Sequence, residues 1–121
     1  HPDGQPLALL HERHAKLIQS VSERRGLQAR TQVLLDYPPC PCDAQLVAVL
    51  QDSARELGVP VMTMHSGAAH DSQQMAAIAK VAMVFVRSVG GRSHTPAELT
   101  TPEDAAAGIR VLAGALHKLA Y

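Results

Sequence analysis

Aromatic side chains are nearly missing from this chain of 121 residues: Tyr37, Phe85 and Tyr121 are the whole set, and there is no tryptophan. Proteins that hold single-stranded nucleic acid stack bases on aromatic platforms, so the scarcity argues against that class. Charge of one sign is missing too. Eleven Lys and Arg balance eleven Asp and Glu, split six against seven through Val59 and five against four after it, which leaves neither a basic arm nor an acidic tail. No stretch reaches the roughly 18 uninterrupted apolar residues of a membrane-spanning helix. The opening HPDGQP lacks the basic-then-apolar pattern of a secretory leader. The expectation is a soluble, cytoplasmic chain that engages neither membrane nor nucleic acid, and one starting at His1 rather than Met is expected to be a processed or excised piece. Cysteine is limited to Cys40 and Cys42 in PPCPCD. One intervening proline would strain a disulfide between them, which favours free thiols in a reducing compartment. With 46% hydrophobic and 18% charged residues, the composition is too apolar for disorder and sized for one domain.

What is present alternates between two periodicities. Leu7, Leu10, His11, His14, Leu17, Ile18 and Val21 recur at helical spacing between Pro6 and Gly26. Leu27 to Tyr37 is rich in aliphatic and β-branched residues, predicts a strand, and is ended by Pro38, Pro39 and Pro41. Asp43 stands as N-cap of a second helix carrying Leu46, Val47, Val49, Leu50, Ala54 and Leu57, with Gly58 as its stop. Pro60 to Met64 reads as a buried strand, Asp71 as the cap of a helix with Met75, Ala76, Ile78 and Ala79, and Ala82 to Val86 as the clearest strand. A last helix starts near Pro102, with Glu103 and Asp104 at its positive end and Lys118 at its negative end. The pattern predicts an α/β arrangement of helices packed on a mostly parallel or mixed sheet. The PPCPC run divides it into residues 1–37 and 38–121.

In an open α/β sheet, ligands gather at the loops leaving strand ends, and two such loops carry histidine. The first, HSGAAHD, places His70 at the mouth of a helix whose free amides favour an anion. The second, VGGRSHTPAE, carries His94 and, four residues on, Glu98. Imidazole is a common metal ligand, yet a lone loop histidine is more often solvated, and each loop taken singly favours the solvated reading. His65 suits packing beside its strand, His11 and His14 an exposed helix face, and His117 a helix C-terminus. Cys40 and Cys42 lack the second ligand pair of a structural zinc site. Arg87 and Arg92 flank the second loop and could draw an anionic substrate. No Gly-x-Ser-x-Gly elbow, phosphate-binding Walker loop, dinucleotide fingerprint or His-Glu-x-x-His motif occurs.

Taken together and in order, with His94 24 positions after His70, the two loops are specific. Residues 64–120 resemble the C-terminal end of the co-catalytic zinc amidohydrolases that include N-carbamoyl-L-amino-acid hydrolase, allantoate amidohydrolase and β-alanine synthase. The pattern there is Ser-Gly-Ala-Gly-His-Asp, an apolar Met-Ile-Phe-Val-Pro-Ser strand, then Gly-Gly-Ile-Ser-His-x-Pro-x-Glu and a final helix. Asp36 to Gly58, with Pro-Cys-Asp and its leucine-rich helix, also fits.

The resemblance implies that residues 38–121 are the C-terminal part of a metallopeptidase-like catalytic domain. Residues 1–37 would then be the end of an α+β lid or dimerisation domain. It implies two zinc or manganese ions in the complete enzyme, with His94 as the last metal ligand and an incomplete site in this chain. It implies that His70, Ala69 and Gly67 contact a small carbamoyl or ureido substrate and that Glu98 and Ser93 support the ligand from behind. The remaining ligands of the family pattern, an early His-x-Asp, a bridging Asp, a Glu-Glu pair and a further His, have no match here. The piece alone is therefore expected to be inactive, its complete form to cleave the C–N bond of N-carbamoyl amino acids or allantoate, and the assembly to be a homo-oligomer. A stand-alone non-catalytic module and a piece of an aminoacylase or dipeptidase are the alternatives. Three positions depart from the pattern: Ala69 replaces glycine, Arg87 proline and Arg92 an aliphatic residue.

Overall fold

The computed structural model describes residues 3–121, whose regular structure is helical: α1 (Gly4–Arg25), α2 (Ala44–Glu56), α3 (Asp71–Met75) and α4 (Pro102–Ala120), with a short 3-10 turn at Val89–Gly91. The chain divides into two compact units. The first comprises residues 1–41 and 65–69, the second residues 42–64 and 70–121.

In the first unit, α1 begins where the Asp3 carboxylate accepts the Gln5 N–H at 2.9 Å. It ends where Gly26 turns left-handed, at φ 63° and ψ 30°. The Gly26 N–H then reaches the Glu23 carbonyl and the Leu27 N–H the Ser22 carbonyl, which satisfies carbonyls the helix would leave bare. The apolar stripe read from the sequence is present, yet no residue of α1 is buried.

The second unit is organised by α2 and α4. The Asp43 carboxylate accepts the N–H groups of Gln45 and Leu46, both at 3.0 Å, and starts α2. Gly58, at φ 65°, lets the Val59 N–H close back on the Ala54 carbonyl at 2.9 Å and stops it. Thr101 caps α4 reciprocally: its hydroxyl accepts the Asp104 N–H at 3.1 Å and donates to the Asp104 carboxylate at 3.0 Å. Pro102 occupies the first turn, where its missing N–H costs nothing.

The two helices meet through small residues. Ser53 and Ala54 of α2 are buried with Val111 and Ala115 of α4, and Gly114 faces Ser53 closely enough that a methyl there would lie 3.5 Å from the Ser53 Cβ. Lys118 Nζ bonds to Glu56 Oε1 at 2.8 Å and ties the ends together. Burying one valine contributes about 1.5–3 kcal/mol, so this interface is modest. The Ser53 hydroxyl is buried with no hydrogen-bond partner among the described residues, which subtracts from it.

The expected sheet is not seen among the described residues. Among the described residues there is no β-ladder, and residues 27–37, 60–64 and 82–86 run without one. Aliphatic runs report a preference for burial, whereas a strand exists only when a neighbour completes its hydrogen bonds, and none of these three segments does that for another. Their side chains stay in the open: Leu34 is 80% exposed and Met62 79%. The 82–86 segment is held in other ways. Its approach is fixed by the Asp43 N–H bonding to the Val81 carbonyl at 2.8 Å and by Lys80 pairing with Asp43 and Gln45. Its end lies on α4, where a methyl group on Gly108 would run into Val86. The third helix is also shorter than its pattern predicts and begins one residue earlier, with His70 at the N-cap and Asp71 in the first turn. Ile78 is left 80% exposed beyond its end.

Two predictions follow from these contacts. Gly114→Ala adds a methyl at ordinary contact distance and gains helix propensity, so it stabilises the chain by up to about 1 kcal/mol. Gly108→Ala gains the same propensity and meets Val86, so it comes out at least ~1 kcal/mol less stable than Gly114→Ala in urea titrations of the helical signal. Equal values would mean that residues 82–86 do not rest on α4.

The Asp43 carboxyl titrates below its ordinary value of 3.8, chiefly through the Leu46 N–H it accepts; desolvation opposes this, and Lys80 and then the Gln45 N–H add to the lowering. A lowered folded value means that this carboxylate's contribution is complete above the unfolded pKa and is lost as pH falls through the folded one. Asp43→Asn keeps the cap without the titration, so its acid unfolding limb below about pH 4 is shallower than that of the parent chain.

Candidate functional site

Both histidine loops start from a residue whose backbone is fixed by a neighbour. His70 is half-buried at the start of α3, its N–H donating to Gln73 Oε1 at 3.1 Å and its carbonyl accepting the Gln73 N–H at 2.9 Å. Gln73 thus stands at the third helical position, where a reaching side chain completes a capping box. The His70 ring tilts against Phe85, with centroids 5.6 Å apart and planes at 59°, an edge-to-face geometry that restricts the imidazole. The Ser72 hydroxyl lies 3.0 Å from the Met83 sulfur, so the 82–86 segment runs beside the start of α3.

The helix that follows His70 has five residues, and Asp71 stands in its first turn. Gly67 and Ala69 belong to the first unit, whereas His70 belongs to the second. In their stretch the Ser66 hydroxyl accepts the Ala68 N–H at 3.1 Å, and a Cβ on Gly67 would meet nothing within 4 Å. The alanine at 69 does not strain the turn, because its φ is not positive: among the described residues His94 is the sole non-glycine with positive φ.

That outlier lies at the tip of the second loop. Residues 88–99 are closed at the neck by the Val89 N–H bonding to the Leu99 carbonyl at 2.8 Å. The Ser88 hydroxyl lies 2.6 Å from the Arg92 carbonyl and 3.3 Å from that of Leu99. Two β-turns fill the loop. In Ser88 to Gly91, closed by the Gly91 N–H on the Ser88 carbonyl at 3.0 Å, Gly90 adopts φ 68° and ψ 14°, a conformation that the third position of a type II turn reserves for glycine. In Thr95 to Glu98, Pro96 holds the second position, and the Glu98 N–H bonds to the Thr95 carbonyl at 3.0 Å. Between them His94 sits at φ 57°, its N–H donating to Glu98 Oε2 at 2.8 Å. A non-glycine in this region costs on the order of 1–3 kcal/mol. Histidine tolerates it better than most residues, and a hydrogen bond to a carboxylate offsets part of the cost.

His94, Ser93, Arg87 and Arg92 are all exposed, and the Arg92 side chain lies beside Gly90. Ser88, Gln73 and Phe85 complete the two loops and were missed from the sequence. Gln73 carried a signal, three residues after a helix start, while Ser88 and Phe85 are significant only once the chain is folded. The donors present do not fit a metal centre by themselves: among the described residues, no three of His, Cys, Asp or Glu come together. Both cysteines are free thiols. No helix among the described residues is long and apolar enough to cross a membrane.

Comparison with known proteins places this geometry. The chain is 36% identical over 102 residues to the N-carbamoyl-L-amino acid amidohydrolase of Geobacillus stearothermophilus, covering 84% of this chain and 25% of that protein. It is 34% identical to the allantoate amidohydrolase of Bacillus subtilis (strain 168) along its whole length, which is 29% of the relative. A crystal structure of a proposed amidohydrolase/peptidase from Burkholderia cenocepacia superposes with a TM-score of 0.74 at 37% identity, covering 96% of this chain and 28% of that one. The chain thus spans between 21% and 29% of the length of the curated relatives it matches. Residues 14–118 match the family described as Peptidase family M20/M25/M40, and the chain belongs to that family.

Proposed function

We propose that this chain is the C-terminal portion of an amidohydrolase that cleaves the C–N bond of an N-carbamoyl amino acid or of allantoate. The observation that carries this reading is the exposed His94 imidazole, held in a left-handed conformation at the tip of a doubly turned loop, in a chain similar to enzymes of those two names. His94 would contribute one nitrogen to a zinc or manganese site, and such a metal would polarise the scissile carbonyl and activate water. One imidazole does not hold a catalytic ion, and among the described residues no cluster of three such donors forms. The hydrolytic step is therefore not built from these residues alone.

What they do supply is orientation. His70, with Phe85 against its ring, would donate to or accept from the substrate. Glu98 and Ser93 would support His94. Residues 1–37 would end a lid or dimerisation domain, and residues 38–121 would complete the catalytic domain of a cytoplasmic homo-oligomer. The exposure of Val33, Leu34 and Leu35, between 73% and 80%, supports association through the first of these segments.

A chimera tests the catalytic part. The upstream three quarters of the Geobacillus stearothermophilus relative, joined to this chain in place of its own C-terminal quarter, is expected to release ammonia from N-carbamoyl amino acids in a metal-dependent reaction. This chain alone is expected to give no turnover above buffer. In the chimera, His94→Ala should lower both metal content and turnover by more than the roughly 10–100-fold that a supporting residue costs. Full metal content and turnover in that variant would remove His94 from the site. Turnover of N-acyl amino acids or dipeptides in place of ureido substrates would favour an aminoacylase or dipeptidase, and an inert, folded chimera would favour a non-catalytic module.

Light scattering of the 121-residue chain should show mass rising with concentration. Val33→Lys with Leu35→Lys should reduce that rise by placing charge on the exposed segment. A constant monomer mass would remove the association.

A further inference from the structure

The 88–99 loop holds its shape with bonds drawn almost wholly from within itself. Three of its residues, Gly90, Gly91 and His94, have positive φ, and only the last carries a side chain that must tolerate it. A non-glycine stays left-handed when its surroundings over-determine the conformation, and here the over-determining groups can be named. Glu98 folds back through the Pro96 turn to accept the His94 N–H, and Ser88 places its hydroxyl between the Arg92 and Leu99 carbonyls at the neck. Removing the first frees the tip. Removing the second frees the segment that leads from the neck to the tip. Because left-handed and extended backbones send the Cβ in different directions, the choice between them decides which way the imidazole leaves the chain.

We propose that Ser88 and Glu98 are paired positioning residues that set the direction of the His94 side chain before any ligand arrives, one fixing the neck of the loop and the other its tip. The inference rests on His94 being the working residue of this loop. It concerns the backbone of His94, however, and the chimera above concerns its imidazole, so either can fail while the other stands. A loop ordered in advance spares the ligand the cost of ordering it, which is the physical benefit of such an arrangement.

Amide hydrogen exchange and 15N relaxation on the isotopically labelled 121-residue chain test the proposal, with Glu98→Ala, Glu98→Gln, Ser88→Ala and Ser88→Thr compared with the parent. In Glu98→Ala the His94 amide is expected to exchange at least about tenfold faster, while the amides of α2 and α4 keep their parent rates. Glu98→Gln keeps a carbonyl acceptor and should exchange at least about threefold more slowly than Glu98→Ala. Ser88→Ala should raise fast motion across residues 89–94, and Ser88→Thr, which keeps the hydroxyl, should restore the parent relaxation. A parent-like His94 rate in Glu98→Ala would overturn the tip latch, and parent-like relaxation in Ser88→Ala the neck latch. Conservative variants indistinguishable from the alanine variants would overturn both, because nonspecific loop damage would then explain the change.

Discussion

The close approach of α2 to α4 is the contact on which the second unit depends. It is made by Ser53, Ala54, Gly114 and Ala115, whose short side chains let two helix backbones come together, with Val111 as the one bulkier apolar group between them. The segment that brings Phe85 to His70 is hung from this pair. The N-cap of α2 receives the strand-like segment at Val81, and α4 carries its far end at Gly108. Between those two anchors Phe85 is brought against His70. The pairing is also economical in apolar area, which leaves the second unit's stability sensitive to single methyl groups and to the unpartnered Ser53 hydroxyl.

The two histidines are presented by different physical means. His70 is oriented through its ring, by an aromatic neighbour that reaches it from another segment. His94 is oriented through its backbone, by a carboxylate four residues away and by turns that glycine and proline make accessible. The first arrangement needs the packed unit, whereas the second is nearly local. That difference explains why the VGGRSHTPAE loop is so distinctive as a sequence: each of Gly90, Gly91, Pro96 and Glu98 answers a conformational demand within ten residues of His94.

Helix boundaries were legible because their causes are local. Asp43, Gly26, Gly58 and Pro102 each begin or end a helix by residue type, and the folded chain uses all of them so, whereas the Thr101 cap of α4 emerged only in the structure. The α3 boundary shifted by one residue because Gln73 caps it from inside the helix. The segments read as strands form no ladder among the described residues, for a reason equally physical. Runs such as AMVFV signal that side chains prefer to leave water, and they do not say which backbone will supply the matching hydrogen bonds.

By itself, the sequence determined where α2 and α4 start and where α1 and α2 stop, which loops carry the histidines, and the family to which those loops belong, since each rests on residue type at short spacing. Only the tertiary structure decided that α2 and α4 close on each other through small residues and that Phe85 comes against the His70 ring. Those outcomes depend on distances between residues far apart in the chain, and no local pattern encodes such distances. The same reason leaves residues 27–37, 60–64 and 82–86 without a ladder: their apolar character is written in the sequence, while the partner that would make a strand of any of them is a matter of three-dimensional neighbours.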